Sequence, residues 1–299
     1  MIRYAVTVGD LHAAIEGEKP GWLDKAAKRT ELLVTDNRFH EDTVDNYPKP
    51  SWSDIKGAWR TLQGDKCAYC EKLVGTEYAS VEHDVEHYRP KKKSTGWYRN
   101  SKPPKPALRV ATTKGRGDGY FWLAYAPLNY CTSCKTCNST LKRTRFPILG
   151  TVGSPGDDVP TLMATERPLL PYPIGDIDDD PEEIIQWEGM VPKHTGSTPE
   201  RRVRGKGTIA FFDLAGRTDL LRGRAVALSL IWRKLEVELD ATRPASERDT
   251  AREWVDTYVA SPKRPHVACL RSFVRLARSN DARARELMAA IDAFLLSVV

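Results

Sequence analysis

Apolar residues recur at helical spacing through the last third of the chain. Leu220, Leu221, Ala225, Leu228, Ile231, Leu235 and Leu239 follow Thr218 at intervals that keep them on one side of a helix, which predicts a long amphipathic helix capped by Thr218. The same period predicts shorter helices over 246–260, 266–279 and 281–298, whose apolar stripes read as ordinary core. Towards the other end, SWSDIKGAWRTLQG predicts a helix capped by Ser51 or Ser53, with Trp52, Ile55, Trp59 and Leu62 on its buried side and Gly64 as its stop. Between 148 and 215 Gly, Pro and Asp interrupt the pattern, and the runs EEIIQWEGMV and GTIAFFDL read as strands or edge segments. The chain shows no internal repeat.

One stretch satisfies both periods. In VEHDVEHYRP, residues 81–90, Val81, Val85 and Tyr88 join Tyr78 near one helical face, while Val81, His83, Val85 and His87 alternate as on a strand. Either period puts the two histidines on the same side. Two chemistries therefore stay open here. HDVEH spells H-x-x-E-H, the signature of an inverted zinc peptidase if it lies on a helix, with Glu166 as the available further ligand. EHYRP instead sets an acid beside a histidine, and Pro90 with the lysines behind it says only that regular structure stops soon after His87.

Length and composition narrow the setting. The 299 residues, 40% of them hydrophobic, can form a core without disulfide staples. The opening MIRYAVTVGDLHAAIEGEKP carries no apolar core behind a basic start, and no later run approaches a membrane-spanning length, so a cytoplasmic protein without a membrane partner is expected. Cysteines in that compartment favour metal over disulfides. Cys67-Ala68-Tyr69-Cys70 and Cys134-Lys135-Thr136-Cys137 together offer four thiolates, the set of a closed tetrahedral zinc site with no position for water, so the expected Zn2+ is structural. Cys131-Thr132-Ser133-Cys134 is a competing knuckle, and Cys269 on a helical apolar face reads as core.

The net charge of +6 is modest, and its placement says more. Arg89, Lys91, Lys92, Lys93, Arg99, Lys102, Lys105, Arg109, Lys114 and Arg116 follow Tyr88 without an intervening Asp or Glu, with Trp97 and Tyr98 among them. Cations interleaved with aromatic rings attract a polyanion and can stack on its bases, although most basic runs are simply solvated loops. The acidic run Asp176, Asp178, Asp179, Asp180 lacks the spaced loop and closing Glu of an EF-hand, and reads as solvated chain. No phosphate-binding G-x-x-x-x-G-K-[ST] occurs, RGKGT at 204–208 being the nearest text, so nucleotide hydrolysis would fall to a partner.

The order of these features is more specific than any one of them. C-A-Y-C, then E-H-Y-R-P, then Asn129, then C-K-T-C followed by Asn138 and Lys142, resembles the HNH family of ββα-metal nucleases across residues 66–147. KCAYCE, the E-H-Y-R-P-K run, W-L-A-Y, S-C-K-x-C-N, ERPLLPYP and GTIAFFDL resemble one branch more narrowly, the PtuB-like HNH endonucleases of Septu and retron-associated anti-phage systems, as far as Arg224.

With the periodicity, that resemblance gives an expected α+β, predominantly helical fold: residue patterns read as a helical leader over 1–65, an irregular connecting region over 148–215 and a helical region over 216–299, and the resemblance implies an HNH core with zinc knuckles and a basic insertion over 66–147. The resemblance also implies hydrolysis of DNA phosphodiesters, with His87 as general base and with Glu86 and Asn138 as oxygen ligands of a catalytic Mg2+ or Mn2+. The family more often has Asp where Glu86 stands, so Asp84 or His83 could share the metal. Asn129 would orient the loop beneath the base. Lys142 and Arg143 would hold a neighbouring phosphate, and Lys91, Lys92 and Lys93 would add contacts to nucleic acid. A separate SMC- or ABC-type ATPase subunit (PtuA-like) is implied as partner, with a retron in some systems. The competing function is a zinc-fastened nucleic-acid adaptor without catalysis; the presence of both His87 and Asn138 favours the nuclease.

Overall fold

A computed structural model describes residues 1–74, 83–97 and 119–297. The fold is α+β and predominantly helical, with two small two-stranded sheets among the described residues. The chain divides into two compact units, one of Arg3–Ala68 and Val74–Asp180, the other of Met1–Ile2, Tyr69–Leu73 and Pro181–Val299. The division after Asp180 falls inside the 148–215 stretch.

The first unit carries α1 (Val8–Glu18), α2 (Trp22–Thr35), α3 (Lys56–Leu62), β1 (His83–His87), β2 (Tyr130–Cys134), a π-helix (Thr136–Lys142) and α4 (Val159–Glu166). A reciprocal capping box starts α1: the Thr7 hydroxyl accepts from the Asp10 N–H, and the Asp10 carboxylate accepts from the Thr7 N–H. The helix expected from SWSDIKGAWRTLQG is a 3-10 turn, Trp52–Ile55, running into α3. Ser51 caps the turn by accepting from the Ser53 N–H, and Gly64 leaves α3 behind at φ 61°. Ile55 and Trp59 are buried as expected, but Trp52 is only half-buried.

β1 and β2 pair antiparallel, from His83 opposite Cys134 to His87 opposite Tyr130. Gln63, just past α3, stitches this hairpin to the helix. Its Oε1 accepts from the Thr132 N–H at 2.6 Å, and its Nε2 donates to the carbonyls of Thr132 and Lys66, each at 3.1 Å. A buried amide satisfied on both ends in this way fixes the strand relative to the helix.

The second unit carries α5 (Pro181–Ile184), β3 (Ile185–Glu188), β4 (Val191–His194), α6 (Pro199–Phe211), α7 (Thr218–Leu239), α8 (Ala245–Ala260), α9 (Val267–Ser279) and α10 (Asp281–Ser297). EEIIQWEGMV supplies β3 and the start of β4, with Ile185 and Trp187 buried and Gln186 exposed between them. GTIAFFDL does not form a strand: most of it is the C-terminal part of α6. Its β-branched and aromatic residues suggested extended chain, but the helix is set upstream, where the Thr198 hydroxyl accepts from the Arg201 N–H and Pro199 occupies the first turn. Arg204, Thr208 and Phe211 then face inwards at helical spacing. Thr218 is the first residue of α7, not its cap; Arg217 holds the cap position and makes no capping bond through its side chain.

Leu228, Ile231 and Leu235 of α7 are buried, as are Val255, Leu270 and Phe273. Cys269 is core too: it is buried, its thiol donates to the Gly189 carbonyl, and burial pushes it up to about 12. Among the described residues, no helix is long and apolar enough to cross a membrane.

Candidate functional site

The two-period stretch resolves as a strand. HDVEH is β1, so H-x-x-E-H does not lie on a helix. Glu166 is also committed elsewhere. Its fully buried carboxylate accepts from Arg89 Nε at 2.9 Å and from the Tyr120 hydroxyl at 2.7 Å, and the Arg89 guanidinium lies among the rings of Tyr88, Tyr120 and Phe146. The zinc-peptidase alternative thereby loses both its helix and its further ligand.

Cys67, Cys70, Cys134 and Cys137 are buried, and their sulfurs all lie within 4.8 Å of one another. None is in a disulfide. Zn–S bonds of about 2.3 Å at tetrahedral angles put the sulfurs roughly 3.8 Å apart, so the group fits a structural zinc. The second knuckle is the turn from β2, which ends at Cys134, into the π-helix that contains Cys137. Cys131 is outside the group. Three positions apart on one strand, Cys131 and Cys134 project to opposite faces, and Cys131 stands opposite Glu86 in the ladder.

His87 closes β1 with its ring in an aromatic frame. The rings of Trp52 and Tyr130 each stand 5.0 Å from the imidazole and nearly perpendicular to it. His87 Nε2 lies 3.1 Å from the Ala124 carbonyl oxygen. A carbonyl only accepts, so that contact puts the proton on Nε2 and leaves Nδ1 with the lone pair. Burial holds the imidazole well below its ordinary value, the Lys91 and Lys142 ammonium groups act in the same direction, and the Ala124 carbonyl opposes them. His87 is therefore neutral at pH 7.

Glu86, directly before it, is buried and paired with the fully buried Lys142. Burial pushes the Glu86 carboxyl upward and Lys142 draws it back. Lys142 Nζ also donates to the His87 carbonyl at 2.9 Å. Lys142, expected to hold a phosphate, instead has its ammonium turned inward onto β1, where its charge is met. Asn138 is half-buried on the π-helix, four residues before Lys142 and so about one turn from the residue that grips 86 and 87. Asn129 is fully buried. Its Oδ1 accepts from the Arg89 N–H at 2.8 Å, and its Nδ2 donates to the carbonyls of Arg89 at 3.0 Å and Leu123 at 3.1 Å. The carboxamide thus ties the chain after His87 to the turn that presents Ala124.

The basic residues separate into different environments. The Lys91 ammonium sits 3.4 Å from the centroid of the Trp52 ring and is brought down to about 8, chiefly by burial. Lys92 pairs with Glu41 at 2.8 Å, and Lys93 and Arg143 are exposed. Arg99, Lys102, Lys105, Arg109, Lys114 and Arg116 lie outside the described residues. Of the alternative metal ligands, Asp84 faces Lys56 at 3.9 Å and His83 is buried opposite Cys134. The sequence had no means of singling out Ala124, whose contribution is a backbone carbonyl. Tyr130 and Trp52 had a faint signal, one as the residue after Asn129 and the other as an aromatic beside a helix cap.

Across this chain, a Septu protein PtuB of Bacillus mycoides (strain KBAB4) is 28% identical over 223 residues. The chain is PtuB-like. The match covers 71% of this chain and 62% of that relative's length. No family model matches the chain, and no solved structure matches it.

Proposed function

We propose that this chain is a metal-dependent HNH endonuclease that hydrolyses DNA phosphodiester bonds, acting as the effector of an anti-phage defence system together with an ATPase subunit. The observation that carries the proposal is the setting of His87: its Nε2 lies 3.1 Å from the Ala124 carbonyl oxygen, which places the proton on Nε2 and leaves the Nδ1 lone pair available, at the end of a strand whose partner β2 leads into the cysteine cluster. In this reading Nδ1 takes a proton from the attacking water, and the Ala124 carbonyl stabilises the imidazolium that results. Asn129 keeps that carbonyl in place through its bond to Leu123, and Lys142 holds the His87 backbone from below. The oxygen donors Asn138 and Glu86 suit a hard divalent ion, and Mg2+ or Mn2+ bound there would supply positive charge against the phosphate. Lys93 and Arg143 are exposed and offer cations for flanking phosphates.

The defence role and the ATPase partner are what the motif resemblance to PtuB-like nucleases implies, and the similarity to a Septu protein PtuB supports that resemblance. One observation favours the adaptor instead: Glu86 is already neutralised by Lys142, which lowers the charge offered to a metal. Supercoiled plasmid incubated with the zinc-loaded protein and Mg2+ or Mn2+, with and without the proposed ATPase subunit, separates the two. The nuclease yields nicked or linear product that EDTA suppresses; retention of DNA with no cleavage under any of these conditions favours the adaptor.

A further inference from the structure

We propose that Trp52 and Tyr130 are a positioning pair for the site, fixing the plane and tautomer of the His87 imidazole while Trp52 also serves as the platform that holds the Lys91 ammonium beside it. This rests on His87 being the general base of the proposed reaction.

Trp52 engages each of its surfaces. Its Nε1–H is shared between the Ala124 carbonyl at 3.0 Å and the Tyr130 oxygen at 2.9 Å, and the Tyr130 hydroxyl in turn donates to that same carbonyl. The acceptor that sets the His87 tautomer is therefore itself held by the indole and the phenol. Each of the two rings stands at about a right angle to the imidazole at 5.0 Å, so rotation of the histidine ring about χ2 would drive it into them. The Trp52 ring stacks on Tyr125, 5.2 Å away at an interplanar angle of 15°, and the Lys91 ammonium lies over it.

Neighbouring groups hold the pair in turn. Trp22 Nε1 donates to the Ser51 carbonyl at 2.9 Å, anchoring the residue before Trp52, and Tyr130 is packed edge-on by both Trp22 and Trp59. A tryptophan kept only for core packing would be buried, as Trp22 and Trp59 are; Trp52 is half-exposed and spends its contacts on His87 and Lys91.

The test compares Trp52→Leu, which removes the ring, with Trp52→Phe, which keeps an aromatic face and edge, in full-length zinc-loaded protein. Imidazole 15N chemical shifts report the His87 tautomer without any need for turnover. The Nε2–H form should dominate in the parent and in Trp52→Phe, and both tautomers should be populated in Trp52→Leu. Plasmid nicking by Trp52→Leu should show kcat about 10- to 100-fold lower, the size of loss that follows a small misplacement of a reacting group. Its KM should rise about two- to fivefold as Lys91 loses its platform. Trp52→Phe should recover both to within about threefold. Tyr130→Phe preserves the packing and is the second test, since loss of the hydroxyl from the Ala124 carbonyl should shift the His87 Nε2–H resonance.

A folded Trp52→Leu protein with parental 15N shifts, or a Tyr130→Phe protein with an unmoved resonance, overturns the proposal even if the parent nicks DNA. A disturbed tautomer in a protein that cleaves nothing leaves the positioning pair standing and removes the nuclease.

Discussion

The two hairpins among the described residues are built from opposite materials. β3 and β4 are joined by Gly189 and Met190 alone, and the alternation of buried Ile185, exposed Gln186 and buried Trp187 specifies their pairing locally. β1 and β2 are separated by residues 88–129, and their buried positions include His83, Glu86, Thr132 and Ser133. A hairpin of that kind has little apolar alternation to set its register and strands far apart in the chain to bring together, so it depends on groups from elsewhere. The cysteine cluster, the Gln63 amide, the Asn129 carboxamide and the Lys142–Glu86 pair supply that support. Polar groups can be kept inside a sheet when such fasteners hold them.

The largest expected effect removes the fastener that has no counterpart in β3–β4. Structural zinc contributes on the order of 10–16 kcal/mol, comparable to or larger than the roughly 5–15 kcal/mol stability of a whole domain. Cys67→Ser, Cys137→Ser or strong chelation should therefore abolish cooperative folding of the first unit, read by near-ultraviolet circular dichroism alongside zinc content; a normal melt without zinc would show that the thiols hold no ion.

The next effect concerns buried charge. Glu86→Ala leaves the Lys142 ammonium buried and unpaired and should cost about 3–5 kcal/mol in urea denaturation, whereas the double variant Glu86→Leu with Lys142→Met should recover most of that loss. Equal destabilisation in the single and double variants would mean that the pair is not the support. The local hairpin should be far more tolerant. Gly189 has φ 55°, so Gly189→Ala should cost only about 1–2 kcal/mol, visible as a small fall in Tm.

The smallest expected effect is electrostatic. Lys93→Ala should reduce the slope of log K against log salt for DNA by about 0.9, and Lys92→Ala by less because Lys92 already meets Glu41. Identical slopes would mean that residue 93 faces solvent alone.

The contrast between the hairpins also explains what was legible in the sequence. The long helices and β3–β4 could be read because periodicity records burial when burial is apolar. β1 could not: its inward positions are polar, so HDVEH matched two periods, and only the spacing of Cys67, Cys70, Cys134 and Cys137 indicated that distant segments meet. The aromatic run of α6 suggests extended chain, but the cap at Thr198–Pro199 that sets the helix lies upstream of it. The inward turn of Lys142 and the part played by the Ala124 carbonyl depend on pairing between segments more than 30 residues apart in the chain, and no local pattern encodes them. Asn129 marked itself by its place in an ordered motif, although its three hydrogen bonds are properties of the folded chain.

The most direct measurement is DNA cleavage by the parent and by His87→Ala, with zinc per chain determined on the same preparations. The account predicts one zinc per chain in both proteins and Mg2+- or Mn2+-dependent nicking by the parent alone. Equal nicking by the two zinc-loaded proteins would contradict it.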